Sequence, residues 1–370
     1  MPPINILIKP ASSACNLHCS YCFYHDVAEN RNQSSYGRMT EATLETIVKK
    51  TLEFGESQVG FAFQGGEPTL VGLGFYQKLL EFQKKYNLKK AKISNAIQTN
   101  GILIDEEWAV FLSENDFLVG LSLDGPKDIH DLNRIDIQGK GSFNRIQKTI
   151  ELFNKHKVEY NILCVVTKLV ARHIEKVYNF YAKKGFNYLQ FIPCLDGLGE
   201  QPGLNSYSLT PEIYVNFLKR LFDLWFHDFI NGKRISIRMF DNLLQVLMGY
   251  HPESCDMKGH CSTNIVIEAD GSMYPCDFYV LDKWKTGNIL NDNYEEIFQR
   301  ETGKEFVNVS LDITEQCRLC EWFSICRGGC RRNYEPIIDS ETGGNYFCSA
   351  YKEFYQYTLP RFREVVRILR

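Results

Sequence analysis

The sequence predicts an α/β fold, in which a parallel β-sheet is covered by helices, followed by a smaller region rich in cysteine. Two patterns carry this prediction. Over residues 1–200 the chain alternates six times between a short apolar run and a longer stretch, as expected for buried parallel strands joined by helices. Beyond residue 200 this rhythm is lost, and eight of the thirteen cysteines lie between positions 255 and 348.

The predicted elements follow in chain order. Strands at residues 4–8, 59–63, 92–98, 117–123, 160–166 and 188–192 alternate with helices at about 40–53, 73–86, 105–114, 143–155 and 171–184. Thr40 and Asp105 are predicted to cap their helices, because such side chains accept hydrogen bonds from free first-turn amides. Helices at about 211–231 and 240–248 follow, and Asp270-Gly271 between two apolar runs predicts a hairpin. The last helix, 349–370, is expected to dock through an apolar stripe of Phe362, Val365, Val366 and Leu369.

Composition narrows the class of protein. A hydrophobic content of 44% in 370 residues is enough for a sizeable core, and a net charge of −3 gives no reason to expect a nucleic-acid partner. No apolar run approaches the ~18–20 residues of a membrane span, and the first residues lack the features of a signal peptide. We therefore expect a cytoplasmic protein with no membrane partner. Disulfides are rare in that setting, so the cysteines indicate metal binding.

Three of the cysteines follow the first predicted strand directly. Cys15, Cys19 and Cys22 are separated by three and then two residues, and only His18 and His25 are nearby candidates for a fourth ligand. A structural zinc site needs four ligands. Three thiolates suit a four-iron cluster whose fourth iron stays open for a small molecule.

Other polar motifs share one position in the predicted sheet, the carboxyl ends of the strands, where the chemistry of such folds takes place. They are Gly65-Gly66-Glu67, Thr99-Asn100, Asp124 and Cys194-Leu195-Asp196.

The spacing Cys15-x3-Cys19-x2-Cys22, together with Gly65-Gly66-Glu67-Pro68 after the second strand, resembles the radical S-adenosylmethionine (SAM) superfamily. The resemblance covers roughly residues 4–195. It implies a partial (β/α)6 barrel and reductive cleavage of SAM to a 5′-deoxyadenosyl radical, chemistry that belongs to the cofactor. The cofactor-binding residues that it implies are Tyr21, Gly65, Gly66, Glu67, Ser122, Arg134 and Leu195.

Individual roles follow for three parts of this set. The two glycines would let the backbone approach the ligand closely, and Glu67 would add an anionic partner for an ammonium. Arg134 would offer a bidentate fork to the SAM carboxylate, unless it is an ordinary solvated surface residue.

The later cysteines resemble the SPASM auxiliary-cluster domain, with Cys255 as an addition to that pattern. The resemblance implies two further [4Fe-4S] clusters, making three in all. It assigns one cluster to Cys255, Cys261, Cys276 and Cys330, and the other to Cys317, Cys320, Cys326 and Cys348. Zinc is the competing interpretation of the Cys-x-x-Cys pairs. Of the two remaining cysteines, Cys164 is expected in the core and the role of Cys194 stays open.

These patterns divide the chain into four predicted regions. Residues 1–200 form the partial barrel, 201–254 a helical connection, 255–348 the cysteine-rich iron–sulfur domain and 349–370 a C-terminal helix. The third region is expected to be held by metal rather than by a hydrophobic core.

With both cluster motifs, Cys255 and the pair Cys276-Asp277, the whole chain resembles the anaerobic sulfatase-maturating enzymes. That family oxidises a sulfatase Cys or Ser, in a Cys/Ser-x-Pro-x-Arg segment, to Cα-formylglycine. The resemblance implies a sulfatase polypeptide as substrate and an electron donor such as flavodoxin or ferredoxin.

Asp277 is the candidate catalytic residue. A carboxylate beside an anionic cluster should have a raised proton affinity, which suits a general base, although Asp277 could instead cap a turn.

Two other functions stay open from sequence. A related radical SAM peptide maturase would make thioether or carbon–carbon crosslinks in a ribosomal peptide, and a zinc-binding adaptor would have no activity. Many such maturases carry an N-terminal recognition domain, for which a first strand at residue 4 leaves no room.

Overall fold

The structure, a computed structural model, describes residues 3–335 and 344–370. The chain divides into two compact units. The first comprises residues 1–122, 134–160 and 262–306, and the second 123–133, 161–261 and 307–370. The four predicted regions stay a prediction, and residues 1–2 and 336–343, which fall within two of them, lie outside the described residues.

The strands are β1 (Ile4–Ile8), β2 (Gln58–Phe63), β3 (Lys92–Thr99), β4 (Phe117–Ser122), β5 (Tyr160–Val166), β6 (Tyr188–Pro193), β7 (Ser236–Ile237), β8 (Ile265–Ile267), β9 (Ser272–Tyr274) and β10 (Gly287–Asn288). The helices are α1 (Phe23–Glu29), α2 (Glu41–Phe54), α3 (Leu73–Tyr86), α4 (Glu106–Glu114), α5 (Lys127–His130), α6 (Phe143–His156), α7 (Lys168–Arg172), α8 (Ile174–Lys184), α9 (Pro211–Ile230), α10 (Arg238–Leu247), α11 (Tyr294–Gln299), α12 (Glu301–Ser310), α13 (Glu315–Arg318), α14 (Phe323–Cys326) and α15 (Cys348–Leu369). Within residues 3–335 and 344–370, no helix is both long enough and apolar enough to cross a bilayer.

The first unit is built on a sheet in which β1 is central. Strands β1 to β4 pair in parallel and in sequence order. On its other side β1 pairs in parallel with β8, which continues through antiparallel pairings to β9 and β10. Apolar side chains of β1 and β2 such as Ile6, Ile8, Phe61 and Phe63 are almost fully buried, as expected for strands covered on both faces.

Local signals explain where several helices of this unit begin. Thr40 caps α2 by accepting a hydrogen bond from the Thr43 amide, and Asp105 caps α4 by accepting one from the Trp108 amide. Both caps were predicted, because the side-chain oxygen satisfies an amide that has no partner inside the helix.

The second unit combines the parallel strands β5, β6 and β7 with a helical layer. Helix α9 packs against α15, and the rings of Phe222 and Phe362 lie 4.7 Å apart at this contact. Docking of the last helix was predicted from its apolar stripe. Phe362 and Val365 are buried as expected, but Leu369 is 47% exposed because the helix ends there.

One sequence prediction was wrong, and a second was wrong in part. The single helix expected at 171–184 is two helices, α7 and α8, separated at His173, whose backbone leaves the helical region. The region from residue 255 was expected to depend on metal rather than on a core. Part of this region does have a core, because β8 and β9 are fully buried and extend the sheet of the first unit, with Trp284 and Phe306 packed edge to face nearby. The dependence of the region on metal stays a prediction.

Candidate active site

The loop after β1 carries the first three cysteines. Cys15, Cys19 and Cys22 are all partly exposed. Cys22 immediately precedes α1, and its carbonyl accepts from the His25 amide at 3.1 Å. Burial is the main cause that raises the pKa of the Cys15 thiol to about 12; the nearby negative groups of Glu67, Cys19 and Cys22 contribute to this rise, and a hydrogen bond from the Leu17 amide opposes it. The three thiols therefore lie close enough to influence one another. Binding of iron would displace their protons, as metal binding to thiols generally does.

The Gly65-Gly66 turn after β2 packs backbone against backbone on this loop. The Gly66 amide donates to the Ser12 carbonyl at 2.9 Å, and the Glu67 amide donates to the Ala14 carbonyl at 2.8 Å. A Cβ atom at position 66 would lie only 2.0 Å from the Ala14 carbonyl oxygen, and Gly65 has a φ of +120°. The close approach that requires these glycines is thus to the chain's own cysteine loop, a reason that differs from the expected approach to a ligand.

Glu67 is 1% exposed, and its carboxylate is occupied by four donors from the protein. Oε1 accepts from the Thr69 amide at 3.1 Å, the Thr69 hydroxyl at 2.6 Å and the Thr99 hydroxyl at 2.7 Å. Oε2 accepts from the Asn100 amide at 2.8 Å. The carboxylate therefore joins the end of β2 to the end of β3.

Asp277 lies in a short helical turn directly after Cys276, and its side chain is 15% exposed. One oxygen, Oδ2, accepts from the Tyr24 hydroxyl at 2.7 Å and from Gln64 Nε2 at 3.1 Å. The other oxygen, Oδ1, is buried and has no hydrogen-bond partner among the residues that the structure describes. Its nearest charge is Lys9 Nζ at 3.9 Å. Burial raises the pKa of Asp277, and Lys9 and Tyr24 oppose that rise.

Asp277 is next to a buried group of charged side chains formed by Lys9, Glu268 and Arg31. Lys9 is 2% exposed, and its Nζ lies 3.4 Å from Oε1 of the fully buried Glu268 and 4.9 Å from the centre of the Tyr24 ring. The same Glu268 oxygen pairs with Arg31 Nη1 at 2.8 Å. Desolvation alone would raise the pKa of Glu268, but Lys9 and Arg31 outweigh it and lower that pKa. Two cations and two carboxylates thus balance one another, as buried charges require.

Three further predicted residues belong to the same unit. The Arg134 guanidinium lies over the Tyr21 ring, 5.5 Å from its centre, and Ser122 ends β4. Arg134 is only 7% exposed, so it is not a solvated surface residue. Its positive charge and that of Lys9 oppose the rise that burial causes in the pKa of Cys22.

In the second unit, the predicted four-cysteine set Cys317, Cys320, Cys326 and Cys348 lines a single cavity, together with aromatic side chains. Burial raises the pKa of Cys326 to about 11, and the other three cysteines contribute to the rise. Burial likewise raises the pKa of Cys330 to about 12, with contributions from Cys255 and Cys261. Among residues 3–335 and 344–370, no three Cys, His, Asp or Glu side chains converge to hold a single metal ion.

Comparison with known proteins identifies the family to which the chain belongs. The radical SAM superfamily profile matches residues 10–181, and an iron–sulfur cluster-binding domain profile matches residues 255–321. The cysteine-type anaerobic sulfatase-maturating enzyme of Clostridium perfringens is 54% identical over 365 residues, which cover 99% of each chain. The chain belongs to the anaerobic sulfatase-maturating enzymes.

Two more relatives agree with this membership. The serine-type enzyme of Bacteroides thetaiotaomicron is 33% identical, over 97% of this chain and 90% of its own. A solved structure, native anSMEcpe with bound AdoMet and Cp18Cys peptide, superposes with a TM-score of 0.96 at 52% identity and covers 100% of both chains.

Membership in the anaerobic sulfatase-maturating enzymes confirms several predictions. The fold is a partial radical SAM barrel with a later iron–sulfur domain, and the chain is a radical SAM enzyme that generates formylglycine in sulfatases. Iron–sulfur clusters and SAM are its implied cofactors. The crosslinking maturase and the zinc adaptor are thereby set aside.

The structure distributes the predicted site residues between the two units. The first unit holds Cys15, Cys19, Cys22, Tyr21, Gly65, Gly66, Glu67, Ser122, Arg134, Cys276 and Asp277. The second unit holds Leu195, Cys255, Cys261, Cys317, Cys320, Cys326, Cys330 and Cys348. Cys164 is buried as expected, and Cys194 is buried as well.

Sequence reasoning assigned no role to Lys9, Arg31, Gln64 or Glu268, which surround or support Asp277. A signal existed for two of them. Lys9 continues an apolar strand without a break, and Gln64 separates a second strand from its glycine turn. A polar side chain at such a strand end points to the functional edge of the sheet. Arg31 and Glu268 carry no comparable local signal.

Replacing Gly66 by alanine should displace the cysteine loop, because the new methyl group would overlap the Ala14 carbonyl. We expect a loss of about 3 kcal/mol in the free energy of unfolding, together with reduced iron content after anaerobic reconstitution. Unfolding curves and iron analysis measure the two effects. Gly74→Ala is the matched control, since a Cβ atom at that position in helix α3 would have open space for 4 Å around it. Equal behaviour of the two variants would contradict the packing argument.

Proposed function

We propose that the enzyme acts on a sulfatase cysteine, in a Cys-x-Pro-x-Arg segment, and that Asp277 accepts the proton of its thiol. Relatives at 54% and 50% identity are named cysteine-type enzymes, whereas the serine-type relative of Bacteroides thetaiotaomicron is 33% identical. The solved relative with a TM-score of 0.96 has a bound peptide called Cp18Cys. These likenesses support a cysteine target.

The reaction must balance atoms and electrons. Conversion of a CH2–SH side chain to a thioaldehyde removes one hydrogen atom from Cβ, one proton from sulfur and one electron. Water then replaces the sulfur, hydrogen sulfide leaves, and the aldehyde of formylglycine results. When bound, SAM and its cluster supply the radical that takes the hydrogen atom, and the auxiliary clusters supply the electron acceptor. The proton of the thiol must therefore be accepted by a side chain of the protein.

The unpartnered oxygen of Asp277 is the observation that carries this assignment. A general base needs a free lone pair, in a fixed direction, within reach of the proton that it takes. Tyr24 and Gln64 hold Oδ2 by hydrogen bonds, so the carboxylate cannot turn freely. Oδ1 is thereby left as the acceptor, with Lys9 Nζ at 3.9 Å as a buried countercharge. The same unit holds Cys15, Cys19 and Cys22.

We propose three [4Fe-4S] clusters. Cys15, Cys19 and Cys22 would hold the cluster that binds SAM, leaving one iron open for it. The cavity lined by Cys317, Cys320, Cys326 and Cys348 fits the donor set of a four-cysteine cluster. Cys330, whose pKa is raised by burial and also by the nearby Cys255 and Cys261, would belong with these two cysteines and Cys276 to the remaining cluster.

For SAM itself, we propose binding by Tyr21, Gly65, Gly66, Ser122, Arg134 and Leu195, with Glu67 contributing indirectly. The buried Arg134 guanidinium suits a carboxylate. Because the Glu67 carboxylate already accepts four hydrogen bonds, its contribution would be to fix the strand ends around the ligand rather than to bind the ammonium. A reductant such as flavodoxin or ferredoxin would supply the electron for SAM cleavage.

Anaerobic incubation with SAM, a reductant and two sulfatase peptides tests the cysteine assignment. The peptides differ only in having Cys or Ser at the target position, and mass spectrometry follows the aldehyde. We expect the Cys peptide to be converted at least about tenfold faster, since a site suited to one polar group discriminates against another. Faster conversion of the Ser peptide would overturn the target assignment, and a crosslinked product that keeps its sulfur would overturn the reaction.

A further inference from the structure

Asn100, in the Thr99-Asn100-Gly101 motif after β3, directs its side chain at the cysteine loop. The side chain is buried, with 6% of the residue exposed. Its Nδ2 donates to Asn16 Oδ1 at 2.7 Å and to the sulfur of Cys15 at 3.7 Å, within the range of a hydrogen bond to sulfur. Nothing in the reaction described above uses this residue.

The orientation of the amide is fixed by its partners. An asparagine side chain offers two N–H donors and one carbonyl acceptor. Here both donors are engaged, and Oδ1 accepts from the Ile102 amide at 3.0 Å. The opposite orientation would place two oxygens together at Asn16 and two donors together at Ile102. The group that faces Cys15 is therefore the donor.

The backbone of Asn100 is held equally firmly. Its amide donates to Glu67 Oε2 at 2.8 Å, and Glu67 Oε1 accepts from the hydroxyl of the preceding Thr99 at 2.7 Å. The Gly101 amide in turn donates to the Thr99 hydroxyl at 3.0 Å. The nearly fully buried Glu67 carboxylate thus fixes the position of the Asn100 backbone next to the cysteine loop.

We propose that Asn100 is a positioning residue that raises the reduction potential of the cluster held by Cys15, Cys19 and Cys22, through its hydrogen bond to the Cys15 sulfur. This inference rests on the proposed ligand assignment. Reduction adds one negative charge to a cluster, so a donor to a ligand sulfur stabilises the reduced state more than the oxidised one. The Leu17 amide makes a second such contact at 3.4 Å, which no side-chain substitution removes.

An EPR-monitored redox titration of the full, anaerobically reconstituted enzyme tests the proposal. The first cluster is recognised as the signal that changes shape when SAM is added. In Asn100→Leu, which has similar size but no donor, we expect its midpoint potential to become more negative. The expected size is about a tenfold change in the ratio of oxidised to reduced cluster at a given potential, which is about 59 mV for one electron.

Two further variants sharpen the test. Asn100→Ser keeps an acceptor for the Ile102 amide but is too short to reach Cys15, so we expect a shift in the same direction. Asn291→Leu, at an exposed position of the same unit, should leave the potential unchanged. An unchanged midpoint in either Asn100 variant, with full iron content and the SAM-responsive signal present, would overturn the proposal.

A spectroscopic measurement decides the matter if both Asn100 variants lose the cluster. Selective ¹⁵N labelling of asparagine, without SAM, in an Asn16→Asp variant, which keeps an acceptor for Asn100 but removes the labelled nitrogens next to Cys15, should give a nitrogen coupling to the first cluster in pulsed EPR. The absence of that coupling would also overturn the proposal. If the unaltered enzyme shows no SAM-responsive signal at all, the assignment of Cys15, Cys19 and Cys22 fails instead. The two failures are therefore distinguishable.

Discussion

Replacement of Asp277 by asparagine is expected to leave SAM cleavage intact and to lower the yield of formylglycine at least about 100-fold, the usual range for loss of a general base. The amide has the same shape as the carboxylate and can still accept from Tyr24. It cannot take up a proton from the substrate thiol. The substrate would therefore lose its hydrogen atom without completing the two-electron oxidation.

Two products measured together make this result interpretable. The ratio of 5′-deoxyadenosine to peptide aldehyde should rise steeply in Asp277→Asn, whereas loss of folding would lower both. Asp312→Asn is the matched control, because the same change occurs at an exposed carboxylate. An unchanged ratio in the Asp277 variant would remove this residue from the reaction.

Replacement of Cys15 by alanine should abolish both products. A cluster with two remaining ligands, Cys19 and Cys22, would not be retained, so iron should fall from about twelve to about eight atoms per chain, a loss of one four-iron cluster of three. SAM cleavage would stop, since no other proposed cluster leaves an iron open. Iron and sulfide analysis and deoxyadenosine measurement follow the two effects.

Cys164→Ala provides the matched control for this change. Cys164 is 1% exposed in β5, and its removal should cost a small amount of stability without altering the iron content. Retention of about twelve irons by Cys15→Ala would show that Cys15 is not a ligand.

Much of the fold was predictable because its signals are local. The apolar strands and the caps at Thr40 and Asp105 depend on residues only a few positions apart, and the structure confirms them. The break at His173 was not predictable, because an apolar periodicity continues across it while the backbone does not. Helix α1 was missed as well, since Cys22 at its start makes no side-chain capping bond.

For the site too, some features could be predicted from the sequence and others could not. The cysteines and Gly65-Gly66-Glu67 were found from spacing, but spacing could not tell that Gly66 meets Ala14 or that Glu67 is saturated by donors. The pairing of Lys9 with Glu268 joins residues that are far apart in the sequence, so no local pattern contains it. Such contacts become visible only when β1 and β8 are known to be neighbours.

The pairing of β1 with β8 has a consequence for how the enzyme folds during its synthesis. Ile6 pairs with Ile265, so β1 is synthesised long before the strand that completes its pairing on that side. Pairings between such distant residues form slowly, because the intervening loop must close first. Until then Lys9 and Arg31 lack their buried partner Glu268. Iron delivered before β8 has paired with β1 would meet a site that still lacks these buried charge pairs.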